Sequence, residues 1–158
     1  MTLHDAMTSI VKIASKAVGA KVWFFGRPKT NPALWPAVIG IYASSNPTAN
    51  GNSTRSGASK LQRNSRKRVH TGTLYVLVSE AVQDGTEQAI HEAAQQIMDA
   101  FDADETLRGM GDVDLVSKFS LGTLITFNLP IAENGANVLG IQAPFEFVEL
   151  MTGPAPDL

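Results

Sequence analysis

Six cations fall between Ser44 and Thr71 without a carboxylate among them: Arg55, Lys60, Arg63, Arg66, Lys67 and Arg68. The rest of the chain holds 13 − 6 = 7 lysines and arginines against 15 acids, so a formal net charge of only -2 hides an acidic body with one basic segment. Two chemistries suit such a segment. It can neutralise phosphates, with an affinity that falls steeply as salt rises. It has no Phe, Tyr or Trp on which bases could stack and no helical period to place a reading helix in a groove, so nucleic-acid binding would be blind to sequence. Alternatively it is solvated until it meets an acidic protein surface and becomes ordered there. The residues leave these two readings open.

Other candidate chemistry dissolves on inspection. His91-Glu92-Ala93-Ala94-Gln95 begins like the helical zinc signature, but Gln95 stands where the second histidine must meet the metal. Asp102, Asp104 and Thr106 resemble the opening of a calcium loop, yet Leu107 replaces its glycine and Val113 its closing glutamate. Gly51 to Gly57 has no following lysine and so lacks the phosphate cradle of a P-loop. His4, His70 and His91 sit in unrelated contexts, and no serine stands in a nucleophile elbow. With no cysteine there is neither a disulfide framework nor a thiolate site. The expectation is a protein that is not an enzyme, with no catalytic residues, no metal and no cofactor.

These residues need elements to hold them. Leu3, Ala6, Met7, Ile10, Ile13, Ala14, Ala17 and Val18 recur at helical steps, with Gly19 suited to a left-handed stop. His4, Asp5, Lys12 and Lys16 break the apolar run that a signal peptide needs, and no stretch approaches the length of a membrane span. Short strands are expected at Lys21 to Phe25 and at Ala37 to Ala43, where Val38, Gly40 and Tyr42 face one way and Ile39 and Ile41 the other. Residues 44 to 71 then read as a long polar loop, followed by an apolar strand at Thr73 to Ser79 that fits cover on both faces.

A second helix is expected from a capping box at Asp84 and Glu87 through Ile90, Ala93, Ala94, Ile97, Met98 and Phe101. Residues 102 to 112 read as a polar turn. Strands follow at Leu115 to Leu121, Thr123 to Ile131 and Val138 to Leu150, with Glu133-Asn134-Gly135 turning the last two. Pro144 lies inside the final strand and predicts an interruption or an edge position. Strands joined to strands outnumber strand-helix-strand steps, which favours α+β: a mostly antiparallel sheet with two amphipathic helices packed on one face. Residues 1–150 form the expected single domain, and 151–158 a flexible tail.

The order of these elements resembles the tail terminator, or tail completion, proteins of tailed bacteriophages. Four stretches bear the likeness: the amphipathic helix Leu3 to Val18; WPAVIGIYA running through a long polar loop to TLYVLVSEA; the second helix with its acidic turn and Leu107-Arg108-Gly109; and the closing VLGIQAPFEFVEL. The resemblance covers residues 1–150 and implies a structural subunit of the virion, assembled in the host cytoplasm. Six copies would close into a ring that ends the tail tube, with the tube protein on one side and the head-tail connector on the other. It implies no catalytic residue and no membrane. The basic segment would then contact a partner protein first and DNA in the channel second. The alternative is a small nucleic-acid-binding module that uses the same cations.

Overall fold

In a computed structural model the described residues are 3–46, 65–80, 86–103, 116–132 and 135–152. They form helices α1 (Leu3–Val18) and α2 (Thr86–Ala103) and six strands: β1 (Val22–Phe25), β2 (Ala37–Asn46), β3 (Ser65–Ser79), β4 (Val116–Leu121), β5 (Ile125–Pro130) and β6 (Asn137–Thr152). The sheet runs β1-β2-β3-β6-β4, with β5 also paired to β6. Only the β1–β2 pair is parallel. This is the α+β architecture that the sequence predicts.

Helix α1 buries the stripe expected of it, including Ala6, Met7, Ile10 and Ala14. It stops where Gly19 takes φ 67°. There the Ala20 N–H donates to the Ser15 carbonyl (2.8 Å) and the Gly19 N–H to that of Lys16 (3.4 Å), which satisfies two carbonyls the helix end would orphan. Close packing onto the sheet depends on Gly40 of β2, since a Cβ there would stand 2.5 Å from a Val11 methyl. Asp84, the expected cap of α2, lies outside the described residues. The helix buries Ile90, Ala93, Ile97 and Phe101.

Both helices cover one face of the sheet, α1 over β1 and β2, α2 over β3, β4 and β6. Val38, Leu74, Val76, Ile141 and Phe145 meet them there. The opposite face has its own smaller core of Ala37, Ile39, Leu77, Phe127, Ile131 and Val138. Across it the Arg27 Nε–H donates to the Ile131 carbonyl (2.6 Å), tying the turn after β1 to the end of β5. Strand β3 is therefore covered on both sides along Leu74 to Leu77, as its unbroken apolar run predicts.

Three expectations need correction. Both ends of the polar loop set at 44–71 are strand, since Ser44 to Asn46 continue β2 and Ser65 to Thr71 begin β3; residues 47–64 lie outside the described residues. These polar residues gain strand geometry from their partners: Ser44 to Asn46 pair with Val69 to Thr71, and Ser65 to Thr71 with Glu146 to Thr152. Pro144 neither interrupts β6 nor marks an edge, since β6 is an interior strand with β3 on one side and β4 and β5 on the other. On one side of β6, β4 ends opposite Phe145 and β5 begins opposite Gln142, and Pro144 sits in that gap. Its carbonyl accepts the Gly122 N–H at 2.7 Å, so its missing N–H points where no strand asks for one. Finally, Met151 and Thr152, expected in the tail, continue β6, and residues 153–158 lie outside the described residues.

Candidate interaction surface

Of the six predicted cations, Arg55, Lys60 and Arg63 lie outside the described residues. Arg66, Lys67 and Arg68 are strand residues of β3, opposite Met151, Leu150 and Glu149 of β6. Successive residues of a strand point to opposite faces, so Lys67 and Arg68 do not form one continuous patch. Lys67 is exposed, and Arg68 lies on the helix-bearing side of the sheet with its side chain half exposed.

Arg68 is tethered. Its Nη1 lies 3.9 Å from Glu149 Oε1, and the same oxygen lies 3.8 Å from His70 Nε2. Both Glu149 and His70 are buried, at 7% and 4% exposure. On the other side of the ring, His70 Nδ1 is hydrogen-bonded to Ser45 Oγ. Ser45 Oγ in turn accepts the Tyr42 hydroxyl at 2.7 Å. A neutral imidazole with its proton on Nε2 suits this line: Ser45 donates to Nδ1, and Nε2–H faces the carboxylate. Burial lowers the pKa of His70 below its ordinary value; the nearby Glu149 opposes this shift and Arg68 adds to it.

A row of rings holds the cluster in place. Phe101 of α2 stacks on Phe119 of β4 at 4.5 Å, Phe119 lies 5.8 Å from Phe145, and Phe145 lies 6.3 Å from Phe147. Phe147 then meets His70 at 4.8 Å. The imidazole is thus the last ring of a continuous apolar row, and its two nitrogens meet polar groups at the row's outer end. Gly72 leaves room for this row, since a Cβ there would stand 2.5 Å from the Phe145 ring.

Sequence reasoning missed this cluster. His70 and Glu149 are 79 positions apart, and only the β3–β6 register joins them. Serine, histidine and glutamate in a line superficially resemble a nucleophile, base and orienting acid. Here the serine is on a paired strand, and the 3.8 Å from Nε2 to the carboxylate exceeds hydrogen-bond reach. Among the described residues no three His, Asp or Glu side chains group as metal ligands, and no helix is long and apolar enough to cross a membrane. His91 is an exposed residue of α2, 3.9 Å from Glu87 one turn earlier, and Asp102 is exposed on the last turn of that helix.

Two further surfaces stand out. At the β1 edge, Leu3, His4, Met7, Phe25 and Tyr42 line an open groove of about 690 Å³ beside α1. At the β4 edge, Met98, Phe101, Phe119, Leu121 and Leu124 line a groove of about 350 Å³ beneath α2, with Asp102 and Lys118 at its rim.

No family model matches the sequence, and no curated protein does. A chain of a solved structure titled "Virion of native gene transfer agent (GTA) particle" is similar to this one at a TM-score of 0.47 and 14% identity, over 96% of this chain and 95% of that chain. A likeness that distant transfers no role, partner or residue.

Proposed function

We propose that the protein is a structural subunit of a phage-type virion, acting at the junction of tail and head. Copies of it form a ring that ends the tail tube and docks to the head connector, and the basic segment between β2 and β3 makes the docking contact. The observation that supports this most is the shape of the β3–β6 ribbon. Strands of 15 and 16 residues run past the helix-covered sheet and deliver the C-terminal end of the cationic segment to one end of an acidic body. That is the placement a docking arm needs, and it agrees with the family resemblance of the element order. This reading assigns no catalytic role to the chain.

The partner is first of all a carboxylate-bearing protein surface. Lys67 and Arg68 face opposite sides of the strand, and Arg68 already leans on Glu149, which suits an arm held between protein walls better than a flat phosphate grip. Reversing charge at Arg66 and Lys67 is expected to block the joining of purified heads to tails, and adding the reversal at Arg68, beside the buried Glu149, is expected to cost stability as well. Lys67→Glu is the cleanest single change, because Lys67 is exposed and unconnected to the buried Glu149. Undiminished joining would sink the reading. The nucleic-acid module predicts instead monomers or dimers that retard DNA, with affinity falling against salt at a log-log slope of up to about -5 if most of the six cations meet phosphates.

A further inference from the structure

We propose that the two lateral edges of this molecule are the two halves of one contact between copies, the α1/β1 edge of one subunit seating against the α2/β4 edge of the next. This rests on the ring reading above and specifies which surfaces would build the ring.

Charge separates the two edges. From residue 3 to residue 36, which covers α1, β1 and the connection to β2, there are five cations (Lys12, Lys16, Lys21, Arg27 and Lys29) and one carboxylate, Asp5. Helix α2 has four carboxylates (Glu87, Glu92, Asp99 and Asp102) and no lysine or arginine. The helices lie side by side on one face, α1 toward β1 and α2 toward β4. One flank is therefore mainly basic, with Arg27 turned to the Pro130 and Ile131 carbonyls, and the other mainly acidic, with Lys118 of β4 its described exception. Two basic flanks repel, as do two acidic ones, so a twofold contact of like edges is disfavoured. A basic flank against an acidic one is attractive, and it repeats in the head-to-tail sense that closes rings.

Apolar surface accompanies the charge on both sides. At the β1 edge Trp23, Phe25 and Tyr42 are about 40% exposed, and Trp23 and Phe25 pack edge to face at 5.4 Å as a ready-made ridge. At the β4 edge Met98 is 38% exposed above the groove lined by Phe119, Leu121 and Leu124. Large apolar groups rimmed by charge are the anatomy of a protein contact. β1 and β4 stand at opposite ends of the strand order, so one copy cannot bring its own ridge to its own groove. A second copy can.

The test is a charge swap at exposed positions. One variant bears Lys16→Glu and Lys21→Glu, the other Glu87→Lys and Asp102→Lys, each checked by circular dichroism for an unchanged fold. Sedimentation velocity would follow association of wild type, each variant, and their equimolar mixture, with and without tail tubes. Wild type should associate, each variant alone should associate at least tenfold more weakly, and the mixture should recover, because the acidic swapped flank of one variant then meets the basic swapped flank of the other, while their unswapped flanks meet as in wild type. If wild type associates and the variants match it, or if the mixture fails to recover, the edge assignment is overturned while the ring reading survives. Wild type that associates neither alone nor on tubes overturns both.

Discussion

The β3–β6 ribbon has two ends built from the same face of the same two strands, and they are stabilised in different ways. Toward the helices, Leu74 and Val76 lie against Ala143 and Ile141, all fully or almost fully buried by α1 and α2. Farther out, the same face has Arg68 and His70 opposite Glu149 and Phe147, with His70 and Glu149 buried as well and Arg68 half exposed. The inner end gains from removing apolar surface and accepts any well-packed hydrophobe. The outer end places a buried carboxylate 3.8 Å from an imidazole and 3.9 Å from a guanidinium, so it rests on charge proximity that is costly to lose on one side. A sheet that only needed a core would stop at the inner end. The outer end fixes the strand register at the point where the cationic segment leaves the body.

This contrast can be broken at its hinge. Phe147 belongs both to the buried row of rings and to the face of His70, so Phe147→Ala should cost about 3–5 kcal/mol in chemical denaturation, the largest single effect expected. A loss below about 1 kcal/mol would mean the row is not continuous with the core. Removing the carboxylate alone, Glu149→Ala, should cost about 1–3 kcal/mol, because it leaves the Arg68 guanidinium without its nearby carboxylate and opens space at a buried position. Arg68 is half exposed and can turn to water, which keeps that figure modest.

Acid should act on the outer end before the inner one. The folded protein holds His70 below its ordinary value, so just below about pH 6.5 the unfolded chain binds the extra proton and the folded chain does not. Stability from this group is therefore complete above about pH 6.5 and declines as pH falls toward the lower folded value. Unfolding measured across that window should lose this slope in His70→Gln, and an identical slope in the variant would contradict the assignment. The smallest effect belongs to Lys67→Ala, expected to change stability by less than about 0.5 kcal/mol, since Lys67 lies exposed on the opposite face of the strand.

Much of the inner end was legible in the sequence. The α1 and α2 stripes, the β3 run at Thr73 to Ser79 and the alternation of β2 all follow from burial acting on periodic residues, and burial leaves a periodic record. The outer end left almost none. Ser44 to Asn46 and Ser65 to Arg68 have a loop's composition, and they become strand because the first pair with Val69 to Thr71 and the second with β6. The one local signal was the β-branched alternation at Val69, Thr71 and Thr73, which extends the apolar strand toward its N-terminus. The role of Pro144 was equally hidden, because it depends on where β4 hands over to β5 on a neighbouring strand. The His70–Glu149 pairing arises from register alone, and no spacing within either segment encodes it.

The most direct measurement of the central claim is electron microscopy of tail tubes polymerised from purified tube protein with and without this subunit. Tubes grown with it should stop at a narrower length distribution and show ring density at one end. An unchanged length distribution with bare tube ends would contradict the account.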